Sequence, residues 1–285
     1  MKNRFIEYHP IAGFVYFTVV LLISMFSMHP IIIAISLVMG VINCIILKGA
    51  RAAGKTIRYM AVMAFMIIII NPLFNHQGIT VLFYMSNGNP VTMEAIIYGG
   101  FMSAMLVSVI VWFNCYNEVM TTDKFIYLFG KISPHFSLVI SMTFRFVPRF
   151  IGQFGQIRDA QKAIGKDAGD GKIFEKIRHF ANEVSIMISW AMENSIETAD
   201  SMKARGYGLG NRTAFSVYRF NKRDAVVLIM TGFAASGYVV VTSLGGLYFT
   251  YYPAVYGSLF SLKAIAAYAV FTALCSIPIA VNIKE

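Results

Sequence analysis

Charge is scarce in this chain, and so is every residue pattern that a soluble enzyme would need. Charged residues fill 13% of the 285 positions, where a soluble domain carries roughly a quarter. Three cysteines, Cys44, Cys115 and Cys275, stand singly inside apolar runs, so neither a CxxC pair nor a disulfide framework can be read from them. The five histidines (His9, His29, His76, His135, His179) are scattered, with no HExxH and no i,i+4 pair suited to zinc. No GxSxG elbow occurs. These absences exclude the familiar hydrolase and metalloenzyme constellations, and no catalytic, metal or cofactor site is expected.

What is present is apolar surface. Hydrophobic residues make up 57% of the chain and the mean hydropathy is +0.64. No soluble core could absorb so much Ile, Val, Phe and Met, whereas a bilayer can. A membrane helix needs about twenty mostly apolar residues, and six stretches qualify: Ile11–Met28, Ile31–Leu47, Tyr59–Phe74, Ala95–Cys115, Ala225–Leu244 and Leu262–Val281. His29-Pro30 separates the first two. The first run has no small-residue cleavage site behind it and leads straight into the second, so it reads as a span and not as a cleaved signal.

The basic residues set an orientation. Sixteen of the 24 lie between Lys124 and Arg223, and a Lys/Arg excess marks cytoplasmic loops. With the N-terminus inside, the Lys48–Arg58 loop and the whole stretch from Tyr116 to Asp224 fall inside, as does the C-terminus. The two loops left outside, Asn75–Glu94 and Gly245–Ser261, contain no Lys or Arg. Lys263 is the exception and can snorkel. The expected organisation is an N-terminal membrane region of four spans (1–115), a cytoplasmic region (116–224) and a C-terminal membrane region of two spans (225–285). The +10 charge then speaks for membrane topology and not for nucleic acid. In the first external loop, Ile79–Met85 followed by Asn87-Gly88 reads as a strand and hairpin turn or as a re-entrant segment; a lid over the helix ends is the favoured role.

The spans themselves are clean. Only Glu94 among the acids sits close to one, at its end. Ion-driven carriers bury ionisable groups near the midplane, which disfavours a stand-alone secondary transporter.

The cytoplasmic region carries the information. Apolar residues recur at helical spacing at Phe136, Ile140, Thr143, Val147, Ile151, Phe154 and Ile157, with Pro148 expected to kink that helix. After a break over Asp167–Gly171, the period resumes at Phe174, Ile177, Ala181, Val184, Ile188, Ala191, Ser195, Ala199 and Met202. Two amphipathic helices of roughly 28 residues follow, whose apolar faces need each other, the membrane surface or another protein.

Two motifs remain. Gly49-Ala50-Arg51-Ala52-Ala53-Gly54-Lys55-Thr56 matches the phosphate loop GxxxxGK[ST], which works only between a β-strand and a helix. Here apolar spans flank it, so a basic cytoplasmic turn is expected and no ATP site. The second is Ala199-Asp200-Ser201-Met202-Lys203-Ala204-Arg205-Gly206-Tyr207-Gly208. Gly206 is placed to cap a helix at positive φ. Arg205, on the last turn, can offer a two-pronged bond to a partner carboxylate, or can simply complement the helix dipole.

That ten-residue motif, followed by Arg212-Thr213, resembles the second Ala-Arg-Gly signature of energy-coupling factor (ECF) transporter transmembrane subunits, the T components of the EcfT/CbiQ-like family. Pro134, the Ser137–Pro148 run with Arg145-Phe146-Val147-Pro148, and Ile157-Arg158-Asp159-Ala160-Gln161-Lys162 are similar to the segment carrying that family's first signature. Asn71-Pro72-Leu73-Phe74-Asn75 also fits the group. One departure stands out: Ala163-Ile164-Gly165 replaces the usual Ala-Arg-Gly, so an arginine contact there is lost or made through Lys162 or Lys166.

The resemblance implies an all-α integral membrane protein of about six transmembrane helices plus two long amphipathic cytoplasmic coupling helices, in a bacterial cell membrane. It implies a non-catalytic subunit joining two ABC-type ATPases to a separate substrate-binding membrane S component, for vitamin or metal-ion uptake such as cobalt. The docking residues would be Ala204, Arg205 and Gly206 at one tip, and Arg158, Lys162, Ala163, Ile164 and Gly165 at the other. Beside this stand a secondary carrier and a membrane-surface scaffold lying on anionic lipid.

Overall fold

Proline opens the first two long helices. In a computed structural model describing residues 4–85, 88–132, 134–166, 173–207 and 218–283, α1 (Pro10–Phe26) and α2 (Pro30–Lys48) both start on a proline, whose missing N–H costs nothing at a helix start. Gly49, at φ 84°, turns the chain into α3 (Ala50–Phe74). Then come α4 (Met93–Val119), α5 (Thr122–Ile132), α6 (Pro134–Ala163), α7 (Ile173–Ala204), α8 (Lys222–Ser243) and α9 (Leu262–Ile283). Helices α2, α3, α4, α8 and α9 are long and apolar enough to cross a membrane, and α1 is an apolar helix of 17 residues. The chain is an all-α integral membrane protein. Of the sequence expectations, Asn87, the Asp167–Gly171 break, Gly208, Arg212 and Thr213 lie outside the described residues.

Two compact units divide the chain, residues 1–125 with 218–285, and residues 126–217. In the first, α4 packs against α1, α2 and α3, and α9 against α2 and α8. Polar groups join these apolar helices where small residues let them approach. The Ser24, Ser36 and Ser108 hydroxyls form a chain of 2.7 Å hydrogen bonds across α1, α2 and α4. Trp112, fully buried, donates its indole N–H to the Ser36 carbonyl at 3.0 Å. Within lipid such bonds contribute about 0.6–2 kcal/mol each. Gly40 makes the approach possible, since a Cβ there would stand 3.1 Å from the Trp112 Nε1.

Asp224 ties the ends of this unit together. One carboxylate oxygen accepts the N-cap Asn221 N–H at 2.8 Å, and the other accepts the His9 N–H at 2.8 Å. Lys124, grouped by sequence with the cytoplasmic basic residues, is buried and donates to the Ile6 and Val119 carbonyls. Burial pushes its ammonium below the usual lysine range.

Of the two readings of the Ile79–Met85 segment, the strand forms: β1 (Val81–Tyr84) pairs antiparallel with β2 (Pro90–Thr92), Phe83 opposite Val91. Glu94, at the start of α4, accepts the Thr80 N–H at 3.1 Å and the Thr80 hydroxyl at 2.8 Å, locking the hairpin to the helix. A second pair, β3 (Phe249–Thr250) with β4 (Tyr256–Gly257), was not legible in the sequence.

The phosphate-loop match needs correction. Residues 50–56 are not a turn but the first turns of α3, and the Ala53 N–H already donates to the Gly49 carbonyl at 3.1 Å. The helix that sequence started at Tyr59 begins nine residues earlier, at Ala50. A basic first turn and an apolar body are compatible in one helix, because Arg51, Lys55 and Arg58 cluster at one end.

In the second unit, α6 is 30 residues long and continues through Pro148, and α7 is 32 residues long. They pack through aromatic rings: Phe150 meets Trp190 at 5.5 Å, Phe154 meets Phe180 at 6.4 Å, and the Arg149 guanidinium lies 5.6 Å from the Trp190 ring centre.

Candidate functional site

Helices α6 and α7 end in the same way. After Ala163, the Gly165 N–H donates to the Lys162 carbonyl at 3.0 Å and the Lys166 N–H to the Gln161 carbonyl at 2.9 Å. After Ala204, the Gly206 N–H donates to the Lys203 carbonyl at 2.9 Å and the Tyr207 N–H to the Met202 carbonyl at 3.0 Å. Each pair is the Schellman arrangement, in which a left-handed residue closes the last turn and satisfies carbonyls the helix would leave open. Gly165 and Gly206 adopt φ 71° and 73°. At Gly165 a Cβ would meet nothing within 4 Å, so the requirement there is the backbone angle and not space.

Ile164 and Arg205 hold the same position in these two motifs, the residue just before the left-handed glycine. Both are exposed, Ile164 at 61%. Arg158, Lys162 and Ala163 are exposed on the last two turns of α6, and Ala204 is exposed beside Arg205. Arg205 forms no ion pair among the described residues; its neighbour Lys203 pairs with Asp200 at 3.9 Å. The structure therefore brings Arg158, Lys162, Ala163, Ile164 and Gly165 together at one tip, and Ala204, Arg205 and Gly206 at another.

The tips stand apart. Arg205 lines a recess of about 380 Å³ with Arg145 and Arg149, which belong to the middle of α6. Ile164 lies about 15 residues beyond Arg149, roughly 22 Å further along the helix axis at 1.5 Å per residue. One side chain offered to a partner is a cation and the other is an aliphatic group, and the backbone presenting them is the same.

Apolar surface surrounds both. Ile151 on α6 is 69% exposed, and Phe174 and Ile177 on α7 are 81% and 61% exposed. Ile188 and Ile196 continue that exposed row. Of the periodic residues read from sequence, Ile157 is buried and Phe154 packs on Phe180, but most of the α7 row is left uncovered. Exposed apolar patches of this extent mark protein or membrane contact surfaces.

Sequence reasoning passed over two features here. Arg145 was seen only as part of a matching run and Arg149 not at all, although their i,i+4 spacing places them on one face of a helix. Glu183, on α7, is 1% exposed, and its Oε1 has no hydrogen-bond partner among the described residues; nothing in the local pattern distinguishes it from a surface acid.

The sequence model of the CbiQ family, described as a cobalt transport protein, matches residues 8–215. The energy-coupling factor transporter transmembrane protein EcfT of Lacticaseibacillus paracasei is 34% identical over 109 residues, 38% of this chain and 39% of the relative. EcfT 1 of Listeria monocytogenes is 30% identical over 106 residues, 37% of this chain and 40% of the relative. An uncharacterised protein of Mycoplasma pneumoniae is 32% identical over 114 residues, 40% of this chain and 26% of the relative. The aligned stretch thus spans about two fifths, or less, of the curated relatives it matches.

Proposed function

The chain belongs to the CbiQ family, and from that premise we propose that it is the transmembrane coupling component of an ECF-type importer, transmitting the motion of two ABC-type ATPases to a separate substrate-binding membrane protein. The observation that carries this reading is the pair of equivalent helix tips. Two long helices with matching caps, roughly 20 Å apart, suit two docking points on a pair of similar partners. A rigid helix capped by glycine lets the backbone of its last turn approach a groove closely, and Arg205 adds a charge-assisted, two-pronged bond to a carboxylate there. Ala163, Ile164 and Gly165 dock the second tip through apolar contact, and Arg158 and Lys162 beside them add cationic groups to it.

The membrane unit supplies the anchor. Its helices are joined by hydroxyl and indole hydrogen bonds and carry few ionisable groups, which suits a scaffold more than a translocation path. The exposed apolar rows on α6 and α7 provide the surface that grips the substrate-binding membrane partner. The substrate, a vitamin or metal ion, is chosen by that partner. The protein resides in the bacterial cell membrane with both termini and the α6–α7 region in the cytoplasm, and performs no catalysis itself.

Affinity purification of the tagged full chain from its native membranes tests this. ATP-hydrolysing ABC-type subunits should be recovered in stoichiometric amount. Transport by the chain alone in liposomes, with no ATPase recovered, would identify a self-sufficient carrier instead.

A further inference from the structure

A groove runs between α8 and α9 on the membrane unit, beginning at the basic start of α8. Val226, Val227 and Met230 of α8 and Ile277, Ala280 and Val281 of α9 line it, together with Tyr8 and Arg223. Residues 223, 226, 227 and 230 share one face of a helix, and so do 277, 280 and 281. The two helices pack against each other, so the groove is the crease between them, roughly 10 Å long at 1.5 Å per residue and about 440 Å³ in volume. Val227 and Ile277 are buried in its floor, whereas Val226 and Met230 stand 55% and 51% exposed. Arg223 is in the first turn of α8, so the cation lies at one end of the groove and apolar side chains follow it inward. Arg219 and Lys222, just before it in the chain, are exposed. No carboxylate lines the groove among the described residues. The neighbouring acid on α8, Asp224, is buried, and its two oxygens accept the Asn221 and His9 N–H groups.

We propose that this groove binds an anionic phospholipid, with one acyl chain along α8 and α9 and the phosphate on Arg223. Both helices are long and apolar enough to cross a membrane, so what covers the exposed Val226 and Met230 is either lipid hydrocarbon or a partner helix. A helix 10–12 Å across fills roughly 800 Å³ or more over that length, about twice the groove, and would rest on its rim. A single acyl chain can enter it. Cations in the first turn of a helix face the positive end of its dipole, so Lys222 and Arg223 are placed unfavourably until an anion stands against them. An arginine fork takes phosphate in a two-pronged bond, and basic pockets between membrane helices recognise anionic headgroups. Tyr8 adds a ring with an apolar body and a polar tip, a form suited to the boundary between tails and headgroups. A zwitterionic lipid brings its own cation to the same place and gains less. The site belongs to the membrane unit alone and holds whether or not the coupling reading does.

The test is native mass spectrometry of the full chain, delipidated in detergent and titrated with phosphatidylglycerol or phosphatidylcholine. The parent chain should bind one phosphatidylglycerol at least fivefold more tightly than phosphatidylcholine, and its unfolding temperature should rise with that lipid bound. Arg223→Gln should remove most of the preference and Arg223→Lys should keep it, a contrast that reports charge and not misfolding. Val226→Trp, which fills the groove from an exposed position, should weaken binding of both lipids by tenfold or more. Equal binding of the two lipids by the parent overturns the proposal, as does an Arg223→Gln variant that keeps the parent's preference. Lipid binding unaffected by Val226→Trp overturns it too, and loss of a co-purifying membrane protein from that variant would identify a partner helix as the occupant.

Discussion

Ile164 and Arg205 occupy one and the same position of one and the same capping motif, an isoleucine closing α6 and an arginine closing α7. The backbone that presents them is matched to within 2° in φ at the glycine that follows. The difference between the tips is therefore confined to side-chain chemistry.

Ile164→Arg should accordingly be accepted by the fold. The side chain is 61% exposed and the glycine beside it has open space, so a guanidinium can reach water without moving the helix. Thermal unfolding should be unchanged, and ATPase recovery equal to or above that of the parent chain. A loss of either would show that the aliphatic group is itself required at this tip.

Lys55→Ala should leave nucleotide turnover by the assembled complex nearly unchanged. Residues 50–56 form the start of α3, and from Ala53 onward the backbone N–H groups are engaged within the helix, so they cannot converge on a phosphate. A loss comparable to that of a genuine phosphate-loop lysine would contradict the assignment.

Topology can be read with an impermeant thiol reagent. Cys44, Cys115 and Cys275 are buried, so single cysteines introduced at Ser86 and Ser258 report without removing them. Both should react from outside intact cells. Labelling that requires permeabilisation at both sites would reverse the orientation proposed from the basic residues.

Gly40→Ala should destabilise the membrane unit. Its Cβ would press on the Trp112 indole at 3.1–3.3 Å and disturb the indole bond to the Ser36 carbonyl. Overpacking of this kind costs about 1–3 kcal/mol. A lowered melting temperature of the detergent-solubilised chain is expected, and an unchanged one would mean that α2 and α4 can separate freely.

Much of this architecture could be read in the sequence because length and hydropathy decide it. The runs ending at Leu47 and Phe74, and that beginning at Leu262, are helices, and Gly206 is a left-handed cap. The start of α3 was misplaced because hydropathy sees Arg51 and Lys55 as loop residues, while helix formation tolerates charge at an end. Helix α5 and the β3–β4 pair escaped notice because short elements are set by tertiary contacts and not by period. The tip residues were legible because capping is local. The company of Arg205 was not: Arg145 and Arg149 are about sixty residues away in sequence, and only the crossing of α6 and α7 brings them to its side.

The most direct test of the account is the amount of ABC-type ATPase recovered with the tagged chain carrying Arg205→Ala or Arg205→Lys. Removing one partner of a desolvated ion pair costs about 3–5 kcal/mol, which corresponds to a hundredfold or greater loss of affinity. Lysine, lacking the planar fork, should restore only part of it. The account requires recovery to collapse in Arg205→Ala, with the membrane unit still folded, and to return partly in Arg205→Lys. Full recovery of the ATPases with Arg205→Ala would contradict it, leaving Arg205 as a surface charge that does no more than complement the end of its helix.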